Sequence, residues 1–417
     1  MTTTAPARTP RGGWGRQTSL FQTGQPAFWV YLTIVAVTAY YAWQEQRLFS
    51  ELSSSGWLLS WLLLIVYALP LFLAIYLLDL YEREPLSLVF GALVWGAVAA
   101  TVLSALANQG WGLVVARIGG PEFAARWTAA LTAPFVEEIT KAAGVVLIYL
   151  IARREMDDVM DGFVYGAMVG LGFAVVEDVF YFVAIFGGTP AGVLAGFYVR
   201  VVSSGLYGHV LYTGLSGMGI AYFVSRSDEQ PFGKRLLVAV GLFGAGVAGH
   251  FLWNSPLLNF YPGTVEDVGD WARIPLAAAI KGLPLLLVVI VLVNLAHRRE
   301  RMWLEAALRS EANSPALSRT ELGILVDPGA RRRSRRDMRA RAGEGAARLL
   351  RRLQREQVNL AMVRTRVAEA DDPTLVRQRQ LCKSLRDALL AMPGAASAGE
   401  SAGSSAGGPL RPPTGGA

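Results

Sequence analysis

Eight apolar stretches, each near the length of a bilayer crossing, govern what this chain can fold into. A hydrocarbon core of roughly 30 Å takes about 20 apolar residues of helix. Stretches of that kind lie at about 27–43, 57–78, 86–107, 128–152, 162–186, 203–224, 236–258 and 274–296. They predict an all-α fold: a polytopic membrane helix bundle of about eight transmembrane helices with a helical cytoplasmic tail. Charged residues are 17% of the chain, against about 25% in soluble domains. They are unevenly placed, because the last 120 residues hold most of the arginines. The lone cysteine, Cys382, leaves no disulfide framework and no cysteine-based metal site.

The expected division is a cytoplasmic N-terminal arm (1–26), a membrane domain (27–296), a basic helical cytoplasmic tail (297–392) and a disordered Ala/Gly/Ser/Pro-rich end (393–417). Arg8, Arg11 and Arg16 resemble the flank of a signal segment. The first apolar run ends Tyr40-Tyr41-Ala42-Trp43 without a small-residue cleavage site, so it reads as an uncleaved anchor. The shorter apolar stretches 110–118 and 191–202 read as interfacial or re-entrant pieces. Cations in short loops set orientation. A cytoplasmic N-terminus puts nine of them inside and five outside, the five being Arg47, Arg117, Arg126, Arg200 and Arg273. The run His297-Arg298-Arg299-Glu300-Arg301 adds to the inner side, so both termini are expected in the cytoplasm.

Ionisable residues inside a span are costly and tend to mark function. The fourth stretch holds Glu137, Glu138 and Lys141, with Glu137 and Lys141 four apart on one helix face. The fifth holds Glu177 and Asp178, the sixth His209, and the seventh His250 with Asn254 four residues on. Counting about 1.5 Å per residue, Glu137, Glu177, His209 and His250 all fall roughly 9–14 Å below the outer surface. Taken singly, Glu137 with Lys141 also suits a structural ion pair, and either histidine a packing role. Asp178 is expected to point away from Glu177, at the outer edge. Gly162, Gly166 and Gly170 recur every four residues, the spacing of close helix packing in lipid. A proton-coupled transporter or channel is the competing reading of such acids and histidines; an inverted repeat would favour it, and none is evident.

At these residues the chain resembles the PrsW family of intramembrane proteases, often described as metalloproteases. Glu137-Glu138-x-x-Lys141 is similar to its EExxK element, Phe173-x-x-x-Glu177 to FxxxE, and Asp161-Gly162-Phe163-Val164-Tyr165-Gly166 to DGxxYG. His209, and His250 with Trp253-Asn254, resemble its later histidine elements; Asp79-Leu80-Tyr81-Glu82-Arg83-Glu84-Pro85 resembles its acidic loop. Asp178 departs from the asparagine usual after FxxxE. The resemblance covers roughly 57–296. It implies a bacterial plasma-membrane enzyme that cuts single-span membrane protein substrates, typically anti-sigma factors, near the outer face. A more distant likeness to the CAAX-protease superfamily rests on the paired glutamates and the His250/Asn254 pair.

Peptide hydrolysis needs an activated water and a stabilised oxyanion. Glu137 is the expected general base, with Glu138 as the alternative and Glu177 holding the water. Lys141 would keep one glutamate ionised, and His250 and Asn254 would donate to the oxyanion. A metal version has His209, His250 and Glu177 on Zn²⁺; no His-Glu-x-x-His motif is present. In the tail, the run Arg331–Arg341 suits anionic lipid. The stripe Ala346, Leu349, Leu353, Leu360, Val363, Val367 and the following Leu375, Leu381, Leu385, Leu389 suit a helical hairpin or a helical protein partner. Nucleic acid is not expected as a partner.

Overall fold

The computed structural model describes residues 19–81, 83–204, 208–258 and 268–395. The N-terminal arginines, Glu82 and the final stretch expected to be disordered from 393 onward, save its first three residues, lie outside them. Every described element is helical apart from one isolated bridge, Ser314 to Leu317.

Helix α1 (Pro26–Leu52) begins on a proline, whose missing N–H costs nothing at a first turn. Ser53 then caps α2 (Ser54–Leu78) by accepting from the Gly56 amide. Helix α3 runs unbroken over Leu86–Gly119 through a π-helical turn at Trp95–Ala100. The stretch 110–118, expected to be a separate interfacial piece, is therefore the end of α3. Nothing breaks the helix before Gly120, which takes φ 80° and hands over to Pro121 at the start of α4 (Pro121–Ile151). Next come α5 (Val159–Ile185), the short α6 (Pro190–Val202), α7 (His209–Ser225), α8 (Phe232–Asn254) and α9 (Val268–Leu308).

By length and composition, six helices can cross a membrane: α1, α2, α3, α5, α8 and the part of α9 from Trp271. The remaining two expected spans are helices outside that set. Helix α4 carries three charges in its middle, and α7 has only 17 residues. The chain is an all-α polytopic membrane bundle; the count of eight stands at six by this measure.

Two compact units divide the described chain: 19–79 with 83–296, and Leu80, Tyr81 with 297–395. In the first, α5 is the axis. Every residue from Met160 to Phe173 is buried, as befits a helix apolar on all sides. Its glycines explain how α7 comes so close. A Cβ on Gly162, Gly166 or Gly170 would run into the carbonyls of Gly217, Thr213 and His209 respectively. Small residues at this spacing let helix backbones meet in lipid. The contact at Gly170 sets the start of α7, and so His209, at a fixed height on α5.

The second unit adds α10 (Arg319–Leu325), α11 (Pro328–Arg366) and α12 (Pro373–Leu390). Ser318 and Glu321 form a reciprocal capping box on α10. Asp327 caps α11; the amides of Ala330 and Gly329 hold its carboxyl below the usual range. The predicted stripe (Ala346, Leu353, Leu360, Val363) is buried in one core with Leu375, Leu385 and Leu389. Cys382 sits there fully buried, and burial pushes its thiol up to about 12.

Candidate active site

Lys141 is the hub of the polar cluster. It projects from α4 with no exposed surface, one turn beyond Glu137 and Glu138. An ammonium has three N–H donors and no acceptor. They meet three acceptors: Glu137 Oε2 at 3.2 Å, Glu138 Oε1 at 2.9 Å and His209 Nδ1 at 2.8 Å. The Phe173 ring lies 3.8 Å from the same nitrogen, a cation–π contact. Because Lys141 can only donate, His209 Nδ1 accepts. The ring proton then sits on Nε2 and donates to Glu177 Oε2 at 2.9 Å.

The two adjacent glutamates differ in their commitments. Glu138 is wholly buried; its Oε1 takes Lys141 and His250 Nδ1 (3.1 Å), and its Oε2 takes the Thr213 hydroxyl (3.0 Å). Glu137 takes Lys141 on Oε2 and the Asn108 amide on Oε1 at 3.0 Å. With Nδ1–H given to Glu138, His250 keeps a lone pair on Nε2, 3.8 Å from Glu137 Oε2. The His250 ring stacks on Tyr212, centroids 5.1 Å apart and 13° from parallel, and meets His209 edge-on at 4.9 Å.

Glu177 is tied from a second side. Arg200, on a π-helical turn at the end of α6, donates from Nη2 to Glu177 (2.7 Å) and from Nε to Asp178 (2.6 Å), and lies 3.5 Å over the Tyr181 ring. The expectation for Asp178 is thereby corrected. Neighbouring helix residues do point about 100° apart, but one planar guanidinium spans both carboxylates, and Asp178 is buried. Glu177, Asp178, Arg200, His209, His250 and Asn254 line a cavity of about 230 Å³. Asn254 donates to the Ala129 carbonyl at 3.3 Å. Lys141 and Glu138 are bonded to the lining residues His209 and His250, and Glu137 stands 3.8 Å from His250.

The structure thus brings Glu137, Glu138, Lys141, Glu177, His209 and His250 into one network, with Asn254 on the rim. Three members, Asn108, Arg200 and Thr213, were not singled out from sequence. Asn108 stands one residue past the expected end of its span, and Arg200 counts there among the outer-loop cations.

A second buried group joins the motif residues Asp79, Glu84 and Asp161, whose carboxylates approach within 4.8 Å of one another. The Tyr165 hydroxyl donates to Glu84, and Asp161 caps α5 through the Asp157 and Asp158 amides. The acidic loop and the DGxxYG element therefore meet at the start of the axial helix.

Glu137, His209 and His250 offer ligand atoms within 4.8 Å of one another, a donor set of the kind catalytic zinc uses. Their present commitments do not fit an ion. Both His209 nitrogens and His250 Nδ1 are engaged, leaving one free imidazole nitrogen and the Glu137 carboxylate where three protein ligands are needed. The Lys141 ammonium already stands against Glu137 and His209, and a divalent ion there would be strongly repelled.

Among known proteins, this chain is 30% identical over 200 residues to the protease PrsW of Geobacillus kaustophilus (strain HTA426), covering 47% of this chain and 71% of that relative. It is 31% identical over 108 residues to the protease PrsW of Bacillus subtilis (strain 168), covering 26% and 46%. No solved structure matches. The pattern described as PrsW family intramembrane metalloprotease matches residues 84–295, the segment that carries every residue of the Lys141 network. This chain belongs to the PrsW family of membrane proteases.

Proposed function

We propose that the chain hydrolyses a peptide bond of a single-span, anti-sigma-factor-like membrane protein near the extracytoplasmic face, with water activated by Glu137 and no metal. The observation that carries this is the 3.8 Å gap between Glu137 Oε2 and His250 Nε2. A water placed at about 2.8 Å from each donates to both. Glu138 is a poorer base, since three donors already hold its two oxygens.

In the reaction, the water oxygen adds to the scissile carbonyl carbon while its proton passes to Glu137. The oxyanion takes the second N–H of Asn254, whose other N–H is held by Ala129. Collapse breaks the C–N bond, and Glu137 returns the proton to the departing amine. Lys141 holds Glu137 and Glu138 in place and offsets one of their two negative charges. Arg200 is a positioning residue: it fixes Glu177, which in turn fixes His209. The bacterial relatives and the loop cations support a plasma-membrane location with both termini cytoplasmic.

The test is purified protein in detergent with a single-span substrate. Glu137→Gln should abolish cleavage in a folded protein, because the amide keeps the shape and loses the base. Glu138→Gln should chiefly lower thermal stability. Wild-type turnover in Glu137→Gln would overturn the assignment of the base.

A further inference from the structure

Helix α11 is two arms in one. Gly343 takes φ 83° in its middle, and the chain reverses the course of its arginines there. Between residues 328 and 366 stand thirteen arginines and three acids, Asp337, Glu344 and Glu356. This excess exceeds the net +7 of the whole chain.

Several of these arginines have work inside the unit. Arg331 donates to the Leu80 carbonyl and lies 4.9 Å over the Tyr81 ring. Arg335 donates to Gln354, and Arg339 pairs with Glu344. Others have none. Arg332, Arg335, Arg336 and Arg339 from the first arm, with Ala347 and Arg351 from the second, line a cavity of about 280 Å³. Among the described residues, Arg332, Arg336 and Arg351 meet no acid.

Guanidinium groups gathered around one space repel one another, and ordinary surface arginines spread apart to avoid it. Here the kink and the packing of Met338, Ala346 and Leu353 into the core hold the two arms together. Arginine forks match phosphate oxygens two at a time, and such charge-assisted bonds are about twice as strong as neutral ones. At roughly 30 Å³ per water the space equals about nine waters, room for a short run of phosphoryl groups.

We propose that the cavity between the two arms of α11 binds compact phosphate groups, carried by a free polyphosphate or by anionic lipid headgroups. The site stands apart from the catalytic reading and does not depend on it. The chemistry is the same for both sources, so the experiment separates them. The full chain in neutral detergent is titrated calorimetrically with inorganic tripolyphosphate. In parallel it is placed in nanodiscs of phosphatidylcholine with or without phosphatidylglycerol, and hydrogen exchange is followed over residues 328–352. The paired variant Arg336→Gln/Arg351→Gln removes one free guanidinium from each arm. Arg348→Gln/Arg352→Gln makes the same charge change outside the cavity.

Saturable binding of tripolyphosphate, or protection that requires phosphatidylglycerol, identifies the source. In either case the cavity pair should weaken the effect about 100-fold, the scale of two lost charge-assisted bonds, and the control pair less than about threefold. The proposal fails if neither probe gives a saturable response. It fails equally if both variant pairs lose the same amount, since that is the behaviour of diffuse charge.

Discussion

Replacing Arg200 tests the network at a residue that does not touch substrate in the proposed reaction. Its two bonds, 2.7 Å to Glu177 and 2.6 Å to Asp178, join charged partners. Bonds of that kind contribute about 1.5–3 kcal/mol each. The Arg200 side chain is 21% exposed and that of Glu177 17%, so solvent screening favours the lower figure, about 3 kcal/mol for the two. If that energy serves to hold Glu177 against His209, its loss falls on the chemical step, and about 1.4 kcal/mol is a factor of ten. Arg200→Gln should therefore lower kcat about 100-fold with KM little changed. Arg200→Lys keeps the charge and reaches one carboxylate, which should recover about half of the loss on the logarithmic scale. The assay is turnover of a single-span substrate in detergent over a range of concentrations, with thermal unfolding run on each variant. Turnover within about threefold of wild type in folded Arg200→Gln would refute the positioning role. So would a lysine variant no better than glutamine, because a merely structural plug would not distinguish them.

Gly170→Leu should separate α5 from α7, since even a Cβ there meets the His209 carbonyl; an overpacked contact costs about 1–3 kcal/mol, read as a lower melting temperature together with lost cleavage. Normal cleavage in that variant would mean that the height of His209 is set elsewhere. Removal of divalent ions with a chelator should leave turnover unchanged, and elemental analysis of the purified protein should find far less than one equivalent of zinc. Loss of activity that returns with added zinc would overturn the metal-free scheme. Cys382 should resist maleimide at pH 8, being buried with its thiol pushed up to about 12, and react once denaturant unfolds the tail; prompt labelling of the native protein would place it at a surface.

The helices were legible because lipid imposes length and apolarity on each of them, and a run such as 57–78 satisfies both without reference to its neighbours. The partnership of Glu137 with Lys141 was legible for a similar reason, as four residues along a helix return to the same face. Gly162, Gly166 and Gly170 announced a close approach, though not which helix makes it. Arg200 could not be read in this way. In one dimension it is a cation near the end of a short apolar stretch, and cations at such ends are ordinary. Only when α6 lies beside α5 does the guanidinium meet Glu177 and Asp178. Asp178 was misread for the same reason: the angle between adjacent helical residues separates their side chains, while a fork arriving from another helix reunites them. Glu138 and Glu137 look equivalent in sequence, and they diverge because Thr213 and His250 reach one and Asn108 the other.

Helix α6 has a consequence for the membrane itself. Its residues Pro190–Val202 rise only about 20 Å, two-thirds of the thickness of the hydrocarbon layer. A helix of that length, set across the layer, leaves about a third of it unspanned. Lipid beside such a helix would have to thin, or water or another polypeptide would have to fill the remainder. A substrate helix has to give up its internal hydrogen bonds before any peptide bond can be cut, and bare amide groups are tolerated at that depth only against protein or water. In the proposed reaction, the short helix that carries Arg200 to the cavity would, set across the layer, give a neighbouring substrate helix room to unwind.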